Sequence, residues 1–484
     1  ISDGNGGMSW GSNTEEFTVS WNTPTGQGLT YTQPSPQSSE GTAGSAFPTT
    51  TFTVTKSDTI ISGTATIAGL PTGITATQVI TGSGIGNTLT VTLSGVFPGA
   101  DSLNTDLTLS GLTLSKTVSW ATPTGQSLTY TQPSPQSSTG NPGTAFPTTT
   151  FTATKSGEIL SGTATIAGLP TGITATQSLS GSGVDNILTV TLAGVFPSVD
   201  SLNTNLTISG LTIITPLTIS YLIVAGGGGG GSYYAGGGGA GGMLSGNLTI
   251  VAGTSFSATV GGGGGWNSNG SNSIFNSTTA IGGGRGGDST SGGYTWGIGG
   301  TGGSGGGSSG KRGGGSNTTG GQGTAGQGNN GGYGVSSSFG DTGGAGGGAG
   351  AAGTSPTSAV RYTVGGIGVQ SSITGSAVYY AGGGAGNGSY AGTGGAGGGA
   401  SAVNTGASPN ATANTGGGGA GGNMWPNSSY TPSNGGSGIV IIRYPNGYTA
   451  SVGGLGYGVL NATASGSTDK YTTLTSGTGT ISIN

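Results

Sequence analysis

The chain has 484 residues, of which 116 are Gly, 9 Lys or Arg and 13 Asp or Glu, with a net charge of −4 and neither Cys nor His. Glycine stands at about three times its usual share, and charged residues at about a fifth of theirs. These figures exclude Ser-His-Asp and Cys-His nucleophiles, zinc sites built from imidazole or thiolate, disulfide staples, and the basic patch that nucleic acid demands.

Few carboxylate pairs are left for acid–base work, so the sequence predicts no enzyme, no catalytic residue, no metal and no cofactor. Apolar runs are only strand-length, which predicts no membrane insertion. The low net charge argues against a disordered chain. The chain begins Ile1-Ser2-Asp3, without an initiator Met or signal peptide, which reads as a removed leader or the start of a fragment.

After an N-terminal segment (1–19), an internal repeat dominates. Residues 21–114 recur at 120–213 with a constant offset of 99: Trp21 matches Trp120, Tyr31 Tyr130, Phe47 Phe146 and Lys56 Lys155. TATIAGLPTGITATQ stands unchanged at 64–78 and 163–177. LTYTQ, TTFTVTK and TLTVTLSG alternate apolar residues with Thr or Ser, the period of a half-buried strand, and Pro/Gly turns separate them. The reading is all-β, with immunoglobulin-like β-sandwiches at 20–118 and 119–217. Trp21 and Trp120 read as core or inter-domain residues. Asp101 and Asp200 read as turn caps rather than calcium ligands. GTATIAGLPTGITAT followed by LTVTLSG resembles the sandwich repeats of large bacterial and phage surface proteins, a resemblance that implies a spacer.

From Ala225 glycine takes over, bounded by SYLIV at 220–224 and IVIIRY at 439–444. A Gly/Ser linker would not carry such bracketing strands or Trp266, Trp296 and Trp425. A collagen helix needs a strict Gly-X-Y period, which is absent. What remains for 218–445 is a polyglycine-II helix bundle bounded by short β-strands, each helix bonded to its neighbours because it has no internal bonds. The bounding strands 219–224 and 439–444 are expected in one sheet. A β tail, 446–484, follows.

SYLIVAGGGGGGSYYAGGGGAGGM, FSATVGGGGG at 256–265 and NGGSGIVIIRYP resemble the glycine-rich domain of bacteriophage tail-fibre and adhesin proteins, and in construction the tips of T-even-type long tail fibres. The two sandwiches and the tail depart from those tips. The resemblance implies packed polyglycine-II helices and inter-helix loops that contact a host.

GGGSSGK at 305–311 matches most of a phosphate loop, but Arg312 stands where Ser/Thr would hold magnesium; Lys311-Arg312 reads as a solvated loop. Asn-x-Ser/Thr at Asn205 and Asn276 matches chance in an Asn- and Thr-rich chain. The candidate binding residues are the aromatics grouped between glycine tracts: Tyr233, Tyr234, Tyr294, Trp296, Tyr379, Tyr380, Trp425 and Tyr430. Each pair reads either as a binding group or as a cap on the glycine lattice.

The expected function is a non-enzymatic phage virion fibre or adhesin, on the virion surface, that binds a host cell-surface receptor (a glycan or an outer-membrane protein). Other virion proteins are its further partners, and it is expected as a homo-oligomer, a trimer. The alternative is a purely structural surface protein, a capsid decoration or filament subunit. A depolymerase would need clustered acids, and Asp288 and Asp341 are the only ones between 218 and 445.

Overall fold

The computed structural model describes residues 14–289, 297–310, 319–336, 341–357, 360–388, 390–404, 406–422 and 431–484. By its contacts the chain divides into two units, 1–215 and 216–484. Tyr294, Trp296, Lys311, Arg312, Trp425 and Tyr430 lie outside the described residues.

The first unit holds the two repeats. Period-two patterning gives Ala46–Thr55 one face that buries Phe47, Thr50, Phe52 and Val54. It joins Thr30–Tyr31, Thr88–Val96 and Ile74–Thr81 in a four-stranded sheet. A second sheet, Ser38–Thr42, Glu16–Trp21 and Ser102–Thr105, closes over it, and Trp21, Phe52, Val54, Leu89, Val91 and Leu93 share the core between them. Trp21 meets Phe47 edge-on at 6.2 Å. The second repeat copies this plan around the buried Trp120. Neither repeat contains a helix among its described residues. Asp101 and Asp200 each accept the backbone N–H of an opening strand, from Thr18 and Thr117.

The repeats are joined by one strand. Thr113–Trp120 pairs through residues 113–115 with Ile60–Ser62 of the first repeat, and through 116–119 with Ser137–Gly140 of the second. Lys116, only 5% exposed, sits at the change-over. Its Nζ donates to Asp58 O, Asp58 Oδ2 and Thr59 Oγ1 at 3.0, 2.8 and 2.7 Å. The Lys116 ammonium holds the Asp58 carboxyl below the usual carboxylate range.

The second unit is built on an eight-stranded sheet in the order Met243–Ile250, Leu217–Val224, Ile439–Tyr444, Lys470–Ile483, Ser255–Val260, Ser273–Phe275, Thr278–Ala280, with Ala450–Thr463 also on Lys470–Ile483. The two bounding strands pair antiparallel, Ser220 with Arg443 through Val224 with Ile439. Both faces of this pair are covered. Ile219, Ile223, Val440 and Ile442 enter one core, and Leu222, Val224, Ile439 and Ile441 another.

The polyglycine-II helix bundle expected for 218–445 is corrected by this architecture. No described residue is helical, and the regular structure of the unit is the sheet. Two apolar strands buried on both faces need sheet neighbours on each side, and residues 446–484, read as a separate tail, supply one of them, Lys470–Ile483, which Ala450–Thr463 pairs in turn. The glycine segments are neither helix nor strand. Their backbone bonds run to distant chain: the N–H groups of Gly236 to Gly242 reach, in turn, the carbonyls of Gly287, Gly344, Gly419, Gly284, Gly347, Gly416 and Ile281. Three neighbours are thus used in rotation, and none of those bonds is local.

Such bonding requires backbones without Cβ atoms between them. A Cβ on Gly346 would lie against the carbonyl oxygen of Gly238, far inside van der Waals contact, whereas one on Gly262 would meet open space. Gly346→Val is therefore expected to destabilise the second unit by about 3 kcal/mol or more, and Gly262→Ala to leave melting within about 0.5 kcal/mol. Thermal melting of both variants checks this. A second expectation concerns the joint. Because the folded Asp58 carboxyl titrates below its unfolded range, its contribution is present above that range and lost as pH falls through the depressed one. Lys116→Met should abolish this acid sensitivity of melting in the first unit, and Asp58→Ala should destabilise more than Lys116→Met because it leaves a buried ammonium with one partner fewer.

Candidate functional site

The first glycine segment leaves the sheet at Ala225, turns at Ser232–Ala235 and returns to Gly242. Gly228 N–H bonds to Gly239 O and Gly231 N–H to Gly236 O, so the two limbs lie side by side. Between them Tyr233 and Tyr234 have φ of 56° and 49°. Two consecutive bulky residues in the left-handed region are a conformation ordinarily left to Asn-Gly, at a cost of about 1–3 kcal/mol each.

Three distant stretches hold this turn. Ser232 donates to Asp288 Oδ1 from its N–H (3.1 Å) and its hydroxyl (2.6 Å). Ser289 Oγ donates to Tyr233 O at 2.7 Å. Gly310 N–H reaches Tyr234 O at 2.8 Å, and Asn387 N–H reaches Ala235 O at 2.9 Å. Burial pushes the Asp288 carboxyl up, against the lowering pull of the Ser232 bonds.

The same end gathers other connectors. Thr342 bridges to Val335 and Gly388, and Gly422 N–H bonds to Gly231 O. Trp266, Tyr333, Tyr362 and Tyr390 are exposed, and each stands within two residues of one tied to this end. Asn267 N–H reaches Gly230 O, Gly334 N–H reaches Ser308 Oγ, Thr363 Oγ1 reaches Gly386 O, and Gly388 is bridged to Thr342.

Of the aromatic groups singled out in the sequence, Tyr233 and Tyr234 lie in this turn, half-buried. Tyr379 and Tyr380 lie elsewhere, at the sheet, where Val378–Tyr380 pairs with Val369–Ser371. Tyr379 is 39% exposed, but Tyr380 is 6% exposed and packs with Leu222, Val224, Ile439 and Ile441; its phenol is pushed up chiefly by that burial. Trp266, Tyr333, Tyr362 and Tyr390 stand singly in the sequence, without the neighbouring aromatic that marks the Tyr233–Tyr234 and Tyr379–Tyr380 pairs, and only their exposure sets them apart. Among the described residues no group of three acidic side chains is placed to hold a metal.

Residues 207–445 match the model of a family described as a glycine-rich domain. The chain contains a glycine-rich domain. No curated protein and no solved structure matches the chain. The glycine-rich domain of the family model ends at 445, whereas the structural unit runs on through the long hairpin 450–483.

Asp288 tests how the turn is held. Its raised folded range means that it favours folding in the protonated form, a contribution present at low pH and lost as pH rises through that range. Asp288→Asn keeps an acceptor for Ser232 and should remove this pH dependence of melting. Asp288→Ala should cost about 1–3 kcal/mol, because it leaves the Ser232 donors without their partner.

Proposed function

We propose that this protein is a non-enzymatic fibre or adhesin of a virion surface, and that its glycine-rich domain presents its connector end to a host cell-surface receptor, a glycan or an outer-membrane protein. The observation that carries the reading is the set of exposed aromatics, Trp266, Tyr333, Tyr362 and Tyr390, on connectors whose flanking backbone is tied into one bonded scaffold. Aromatic side chains bring large, amphipathic contact area and lose little entropy on contact. A scaffold of glycine backbone offers few side chains of its own, so recognition falls to the connectors. The two repeats serve as spacer, and the protein assembles with other virion proteins, as a homo-oligomer.

A second reading, a purely structural surface protein, is favoured by the Tyr233–Tyr234 turn, whose carbonyls and neighbours are bonded inward as a cap would be. Alanine at a true contact residue among Trp266, Tyr333, Tyr362 and Tyr390 should weaken binding of the protein to host cells by about 2 kcal/mol, roughly 30-fold, with melting unchanged. If all four variants melt normally and bind normally, the structural reading replaces the adhesin.

A further inference from the structure

A second site stands at the sheet, apart from the connector end. The pairing register sets Asn247, Ser220, Arg443 and Tyr471 opposite one another in a row across four strands. Beside it the turn after Val369–Ser371 forms a wall. Together Ser220, Ser245, Asn247, Ser372, Arg443 and Asp469 line a groove of about 530 Å³, within the range of small-molecule sites.

Its polar groups are held but not saturated. Ser220 Oγ donates to Asn247 Oδ1 at 2.8 Å, which leaves the Asn247 amide N–H groups without a partner among the described residues. Arg443 donates from Nε to Asp469 Oδ2 at 3.0 Å and from Nη2 to Ser467 Oγ at 2.8 Å. Arg443 Nη1 and Asp469 Oδ1 remain available in the same way. The groove therefore offers fixed donors, a fixed acceptor and serine hydroxyls that serve as either.

Charge selects the ligand further. Arg443 is already compensated by Asp469, and no second cation lines the groove, so an anion finds no net attraction there. Tyr221, Gly246, Ser371 and Ile373 complete the lining. A ligand that presents several neighbouring hydroxyls, each both donor and acceptor, matches this set. We propose that the groove binds a neutral saccharide, with Asn247, Arg443 and Asp469 as its hydrogen-bonding groups. The proposal does not depend on the connector end, since the groove's residues come from the sheet and its neighbouring turns.

The test is saturation-transfer NMR and calorimetry on the full chain with maltotriose, lactose and diacetylchitobiose as neutral probes, and sialyllactose and trigalacturonate as acidic ones. At least one neutral probe should bind at about millimolar concentration, as an open groove with few bonds allows. Asn247→Ala and Asp469→Asn should each weaken it about five-fold, the worth of one hydrogen bond. Asn247 is exposed, so its variant should melt as the parent does and decides the matter if Asp469→Asn melts early. Trp266→Ala should leave saccharide binding intact. The proposal is overturned if no neutral probe binds, if only acidic probes bind, if Asn247→Ala binds unchanged, or if Trp266→Ala abolishes binding. Host-cell binding that persists while every probe fails would sink the groove and leave the adhesin reading standing.

Discussion

The second unit depends on one constraint: backbones must approach closely enough to bond directly, with no Cβ in between. Glycine alone satisfies it, and glycine also loses the most conformational entropy on ordering. The compensation is that the interior N–H and C=O groups find partners on other segments, as Gly236 to Gly242 show. An isolated segment has nothing to bond to, so order in this region is collective.

Such a lattice needs something to hold its register, because glycine faces are alike and one slip resembles another. The sheet supplies that reference. Large side chains on both faces of Leu217–Val224 and Ile439–Tyr444 fit only one alignment, and the glycine segments start and end from it. Side-chain bonds fix the far end: Asp288 on Ser232, Ser289 on the Tyr233 carbonyl, Asn387 bonded to Val403. Specific chemistry thus sits at the two ends, with nearly featureless backbone between.

Much of this organisation was legible in the sequence. The 99-residue offset marks the two repeats, and period-two Thr-apolar patterning marks their strands. The apolar runs 219–224 and 439–444 point to a shared sheet because neither could be buried alone. The rest of that sheet was not legible for physical reasons. Residues 446–484 read as β, but Ala450–Thr463 and Lys470–Ile483 are rich in Gly and Thr and their pairing carries several register shifts, so nothing in their pattern assigns them to this sheet. The helix expectation failed because composition reports only that backbones come close, not which element they form. Tyr379 and Tyr380 look equivalent in sequence, and only their pairing with Val369–Ser371 turns one outward and the other into the core. The left-handed Tyr233–Tyr234 turn carries no turn signature, since neither residue is a turn former; it is imposed by the stretches around it.

The strand shared by the two repeats has a consequence for how the first unit comes apart. Thr113–Trp120 is at once the last strand of one repeat and the first of the next: its first half is the partner of Ile60–Ser62, and its second half stands between Ser137–Gly140 and Ser201–Thr204, so unfolding of either repeat unpairs part of a strand that the other uses. Stability in such a chain is a sum of intrinsic terms and a nearest-neighbour term. Here the neighbour term is a continuous strand and the buried Lys116 rather than a flexible tether. Under a stretching load, the two repeats would yield as a coupled pair, and the force needed would be set at the seam between them.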